Sequence, residues 1–206
     1  MATQRQDVRE RVRDYLHESV ADIWTDEQLN RHILEELRSL PSKSIYLEEM
    51  WTTTCTQDQQ DYALPTGTIK VESVEKNEGT TSAPNWCELK GADFYGGALY
   101  LPYHPSTGDE IRVKIKKSFD DVTADDVDLS LPDYKIEVLV WGTVIRAYRQ
   151  FIGYLRNSES WDTVTKPGDH NISTIQNWIK EAQEHYKMLI QQYMTSPKPR
   201  DINLTA

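Results

Sequence analysis

The apolar positions of this chain change period twice, which separates helix-forming ends from a strand-forming middle. The longest regular stretch is 131–155, LPDYKIEVLVWGTVIRAYRQFIGYL. Tyr134, Val138, Trp141, Ile145, Tyr148, Ile152 and Leu155 follow one another in steps of four and three, the spacing of one face of an α-helix. A second apolar stripe, Ile136, Val140, Val144, Ala147 and Phe151, lies roughly 120° round the same helix. Lys135, Gly142, Arg146, Arg149 and Gly153 are left on a narrow polar side. The pattern predicts a helix covered on two sides. The β-branched run 136–140 would also suit a buried strand, but the length and the sustained spacing favour helix. Ser130 is the expected N-cap, and Pro132 fits the first turn, where its missing N–H has no intrahelical partner. Each glycine lowers helix stability by about 1 kcal/mol relative to alanine, a loss that close approach of another backbone would explain.

Similar spacing predicts three further helices. Val8, Val12, Tyr15 and Leu16 mark a short amphipathic one over 4–16. At WTDEQL, Thr25 is the expected N-cap, Gln28 completes a capping box, and Trp24 is placed to staple against Leu29. Leu29, Ile33, Leu34, Leu37 and Leu40 form the buried side of that helix, and Pro41 stops it. After a loop-like stretch over 157–171, Ile172, Ile175, Ile179, Ala182, Tyr186, Leu189 and Tyr193 trace the last helix, with Asp169 or Asn171 as its cap. The remaining SPKPRDINLTA holds two prolines and too few apolar groups to order itself alone.

Over 44–117 the period falls to about two, with short runs punctuated by Gly, Pro, Asn and Asp. Strands are expected at 45–55, at 62–63 beside a turn, and at 69–74, 86–89, 98–101 and 110–116. Gly96 and Gly97 read as a turn. The last strand alternates Ile111, Val113 and Ile115 with Arg112, Lys114 and Lys116, which predicts one buried face and one basic, solvated face. The whole is an α+β chain: about four helices with a β-rich insertion between the second and third. The expected division is a helical body over 1–43 and 118–194, a β insertion over 44–117 and an extended arm over 195–206.

The 206 residues suffice for a core without cross-links. Lys and Arg number 23 against 33 Asp and Glu, a net charge of −10 that argues against gripping nucleic acid through its phosphates. Cys55 and Cys87 lack metal or redox spacing and are expected as free thiols. No apolar run approaches the roughly 18 residues of a membrane span, and the N-terminal segment lacks an export pattern, so neither export nor membrane insertion is expected. Acid is concentrated in SFDDVTADDVDLSLPD, where Asp120, Asp121, Asp125, Asp126, Asp128 and Asp133 occur without Lys or Arg. Counted as a calcium loop from Asp120, this stretch lacks the sixth-place glycine and has Leu131 where an acidic ligand belongs.

Catalytic patterns are missing from the sequence. His17, His32, His104, His170 and His185 are scattered, and there is no HExxH, GxSxG or phosphate loop. Glu48 and Glu49, beside Tyr46 and Trp51, are the only pair worth weighing as hydrolase acids. Neighbours on one strand point to opposite faces and cannot flank one bond. The expectation is therefore no catalytic residue, no cofactor, no metal and no enzyme.

Taken together, WTDEQLNRHILEEL, the YALPTGTIKVESVE stretch and SLPDYKIEVLVWGTVIRAYRQF resemble the head-to-tail adaptor proteins of tailed bacteriophages. The resemblance spans about residues 5–194 and is carried by 24–29, by Tyr62, Leu64 and Pro65 followed by Ile69 and Val71, and by the Leu131, Pro132 helix start. It implies a structural virion protein of the neck, made in the host bacterial cytoplasm. Its subunits would form a ring, dodecameric in the family, that docks on the portal protein and presents a surface to a tail or nozzle protein. DNA would pass through without specific binding, which the net charge suits. The portal arm would be the C-terminal segment with Pro197, Lys198, Pro199 and Arg200. Asp120, Asp121, Asp125 and Asp126 become candidates to face the channel, and Gly142, Arg146, Arg149 and Gly153 candidates for an intersubunit seam. Another neck or tail-completion protein is the alternative, and a cell-wall hydrolase the remote one.

Overall fold

A computed structural model of the chain describes residues 4–18, 23–122, 124–126, 129, 131, 133–157 and 172–195. They form two compact units. One comprises Met1–Ser39 and Asp121–Ala206, the other Leu40–Asp120. The expected caps Ser130, Pro132, Asp169 and Asn171 lie outside the described residues.

Among the described residues the first unit holds four helices: α1 (Arg5–Tyr15), α2 (Asp26–Ser39), α3 (Asp133–Asn157) and α4 (Ile172–Thr195). The capping box of α2 is in place: Thr25 Oγ1 accepts the Gln28 backbone N–H at 3.2 Å, and Gln28 Oε1 accepts the Thr25 N–H at 2.9 Å. Trp24 and Leu29 are both buried, as the staple requires. Pro41 follows in a 3₁₀ turn, Leu40–Lys43, because the proline can neither donate to the fourth preceding carbonyl nor fit beside it.

Helix α3 packs against α1, α2 and α4. Both predicted stripes are buried through most of their length, from Ile136 and Val138 to Tyr148 and Ile152. Leu139 and Thr143, which lie on neither stripe, are fully enclosed as well, and the Thr143 hydroxyl donates to the Leu139 carbonyl at 2.8 Å. Lys135, read as part of the polar side, is buried with its ammonium over the Tyr193 ring at 5.1 Å. Three neighbouring helices cover more of α3 than two stripes demand.

The strands of the second unit all pair antiparallel. Its larger sheet has the order β1-β7-β3-β4, built from β1 (Leu47–Thr54), β3 (Thr68–Asn77), β4 (Trp86–Glu88) and β7 (Glu110–Lys117). The smaller has the order β2-β6-β5, from β2 (Asp61–Ala63), β5 (Asp93–Tyr95) and β6 (Ala98–Tyr100). Leu99, Tyr62 and Leu101 from the small sheet side share one core with Ile111, Val113, Ile115 and Val74 of the large one. Gly96 and Gly97 both take positive φ, 61° and 83°, and join β5 to β6 as a two-residue hairpin loop, the conformation glycine adopts most readily.

The basic face of β7 is not merely solvated. Arg112 pairs with Glu75, Lys114 with Glu48 and Glu72 at 3.7 and 3.5 Å, and Lys116 with Glu72 at 2.5 Å. The register places acidic β1 and β3 on either side of basic β7, so opposite charges meet across strands.

Candidate functional site

The most constrained polar cluster joins α2, α3 and α4. Glu36, only 2% exposed, accepts a hydrogen bond from Arg146 Nε at 2.9 Å and another from the Tyr186 hydroxyl at 2.6 Å. A buried carboxylate requires such partners, since an isolated one would have to be protonated or expelled. Burial and the adjoining Glu36 carboxylate push the Tyr186 phenol far above its ordinary value, so it remains a donor. Gly142 makes room for this arrangement: a Cβ there would lie 2.5 Å from Glu36 Oε1 and 2.6 Å from Cγ. Nearby, His32 Nε2 meets Gln150 Oε1 at 2.5 Å, and Glu35 reaches Arg146 at 3.4 Å.

The four seam candidates thus occupy different settings. Gly142 and Arg146 meet Glu36 of their own chain, while Arg149 is exposed and a Cβ at Gly153 would meet nothing within 4 Å. The backbone that comes close to α3 at Gly142 is replaced by a side chain, Glu36.

The acids before α3 also divide. Asp121 is held by both Nε and Nη2 of Arg38, at 2.9 and 2.6 Å. Asp125 Oδ1 accepts from Arg5 at 2.9 and 2.7 Å and from Arg9 at 2.9 Å, while Arg5 Nη1 donates to the Val122 carbonyl at 2.8 Å. Asp120 and Asp126 are exposed. Arg5, Arg9 and Arg13 recur every four residues on α1. Arg13 continues the pattern by binding Glu18, Asp26 and the Trp24 carbonyl at 2.6–2.9 Å. This stripe was visible in the sequence as spacing, but its partners are remote in the chain.

Hydrogen bonds from Arg5 and Arg9 hold the Asp125 carboxyl below the ordinary carboxylate range. A depressed folded value contributes stability that is present above the unfolded pKa of about 3.9 and is lost as pH falls through the folded value. Asp125→Asn is therefore expected to weaken the chain at neutral pH by a small amount, since the carboxylate is partly open to water. In acid titrations followed by circular dichroism the difference from the parent should close below pH ~4. A gap that persists unchanged to lower pH would contradict this role.

A third feature is an aromatic cleft of about 360 Å³ between α1, α3 and α4, lined by Tyr15, Trp141, Tyr148 and Trp178 with His17, His185 and Glu181. Trp141 lies between Tyr15 and His185, with ring centroids 4.4 and 4.6 Å away. Its Nε1–H is buried and has no hydrogen-bond partner among the described residues. The sequence placed Trp141 on a core stripe; the structure puts it at the wall of a cleft.

Glu48 and Glu49 do not converge: Glu48 faces Lys114, whereas Glu49 binds Lys117 at 3.0 Å. Cys55 is buried and free, and its desolvation raises the thiol above its ordinary value, the reverse of what activates a nucleophile. Cys87 is also free. Among the described residues no cluster of three His, Cys, Asp or Glu could hold a metal ion, and no helix is long and apolar enough to cross a membrane. Pro197, Lys198, Pro199 and Arg200 lie outside the described residues.

No family model matches the sequence, and neither does any curated protein. Among solved structures, the chain is similar to one from the neck of an empty GTA particle computed with C6 symmetry, at 11% identity and a TM-score of 0.33, covering 88% of this chain and 94% of that one. A likeness this distant does not bear on function.

Proposed function

We propose that the chain is a structural neck protein of a tailed phage or phage-like particle, a subunit of a ring that joins the portal of the head to the tail and lets DNA pass. The observation that carries this reading is the architecture of the described residues: four helices interrupted between α2 and α3 by an antiparallel β unit. That is the arrangement implied by the resemblance of 24–29, 62–71 and the start of α3 to head-to-tail adaptors. The chemistry agrees in kind, for the conspicuous polar groups are spent on joining helices to one another. A net charge of −10 would keep DNA from adhering to a passage. Asp120 and Asp126, exposed and outside the arginine clamps, are the acids we assign to the channel side, with Arg149 and Gly153 at the seam between subunits.

Mixing the purified protein with the portal of the same particle tests the proposal. Co-sedimentation as a single species, with rings at the narrow end of the portal in electron micrographs, is expected. A persistent monomer that leaves the portal bare would overturn it.

A further inference from the structure

Strand β1 ends the larger sheet, with one long side open. The Cys55 N–H donates to the Asp109 carbonyl at 2.6 Å, next in register after Thr54 and Glu110. Backbone direction alternates along a strand, so the odd-numbered residues of β1 bond to β7, while Glu48, Met50, Thr52 and Thr54 point their N–H and C=O groups away from it. Among the described residues no backbone group meets them on that side. Glu48, Met50, Thr52 and Thr54 are exposed, and Leu47 and Trp51, on the inner face, are only half-buried.

Open edges invite pairing, and folded chains ordinarily blunt them with short strands, bulges, prolines or lysines. The other edges of these sheets are blunted. Strands β2, β4 and β5 have three residues each, and the stretch of β3 that β4 leaves uncovered is interrupted by register shifts at 68–70 and 71–73. Strand β1 runs for eight residues in unbroken register, with no proline, lysine or arginine. Its charged residues, Glu48 and Glu49, are already paired with Lys114 and Lys117 at 3.7 and 3.0 Å.

The strand also complements itself. Turned about a two-fold axis at Trp51, two copies of β1 set Met50 opposite Thr52, Glu48 opposite Thr54 and Glu49 opposite Thr53, so no carboxylate faces another. The outward residues are then the ones that exchange hydrogen bonds, about eight in all, and the two Trp51 side chains meet at a close, non-hydrogen-bonded position. We infer that β1 docks antiparallel on β1 of a second copy, joining two four-stranded sheets into one of eight strands. A two-fold pair is closed, whereas a ring with unlike faces toward head and tail contains no such axis. The pair is therefore a form of the free protein that gives way when subunits enter a ring.

Sedimentation of the full chain from about 1 to about 500 μM tests this. A monomer–dimer equilibrium is expected. Two changes should each weaken it about tenfold or more: Met50→Pro, which removes an outward N–H and no bond to β7, and Met50→Lys, which keeps every backbone group but brings like charges together near the axis. In hydrogen exchange read by NMR, the amides of Glu48, Met50, Thr52 and Thr54 should slow about tenfold or more as concentration rises, while those of Glu49, Trp51 and Thr53 stay protected throughout. A chain that remains monomeric, an association that both variants leave unchanged, or outward amides that exchange at one rate at all concentrations overturns the inference. None of these outcomes touches portal binding, so the neck reading stands or falls separately.

Discussion

Gly142→Ala is expected to destabilise the helical unit by about 2–4 kcal/mol, although alanine normally strengthens a helix by about 1 kcal/mol over glycine. The new methyl would occupy space now held by Glu36 Cγ and Oε1. Glu36 is the far side of a flexible chain, but it is not free to swing aside, because it is 2% exposed and fixed by Arg146 and Tyr186. Displacing it leaves a buried carboxylate and two donors to find new partners, each loss of the order of 1–3 kcal/mol. For a chain of this size the melting temperature should fall by about 5–15 °C. The companion variant is decisive. Once Glu36→Ala has removed the obstructing side chain, adding Gly142→Ala should cost less than about 1 kcal/mol more. A melting temperature raised by Gly142→Ala alone would show that Glu36 does not hold this place.

In the β unit the largest effect is expected from Ile115→Ala, about 2–5 kcal/mol. Ile115 is fully buried on the central strand β7, opposite Glu49 on one side and Val71 on the other. Its neighbour Lys114 belongs to the charge ladder on the opposite face and pairs with Glu48 and Glu72 at 3.7 and 3.5 Å. Lys114→Ala should cost less than about 1 kcal/mol, since partly exposed ion pairs are screened by water and restrict two long side chains. Amide exchange of β7 read by NMR separates the two. If the lysine variant lost as much protection as the isoleucine variant, the ladder rather than the apolar face would hold the sheet.

These two sites mark where the sequence was informative and where it was not. The helices were legible because their signals are local: the three-and-four spacing of α3, and the Thr25 and Gln28 pair, bonded as their positions require. The alternation of Ile111, Val113 and Ile115 likewise gave the buried face of β7. Strand β5 was missed because Asp93–Tyr95 is too short to display a period. The Gly96 and Gly97 turn was nonetheless recognisable, and a two-residue loop before β6 demands a partner strand. What no local pattern could supply was pairing across the chain. Lys114 and Lys116 looked solvated because Glu48 and Glu72 are remote in sequence. Glu36 belongs to no apolar stripe of α2, and only its approach to Gly142 reveals why that glycine is there. Asp121 and Asp125 read as an undifferentiated acidic run, whereas Arg38, Arg5 and Arg9 engage both.

That distinction bears on function. On the proposed neck function, acids already held by arginine within the chain are poor candidates for a channel lining, which among the described side chains of that segment leaves Asp120 and Asp126 for the role.

Labelling the protein in intact particles tests the central claim most directly. With a tag visible by electron microscopy, density is expected as a ring at the junction of head and tail, and particles made without the protein should accumulate as separate filled heads and free tails. Label elsewhere on the particle, or normal joining of heads to tails in its absence, would contradict the account.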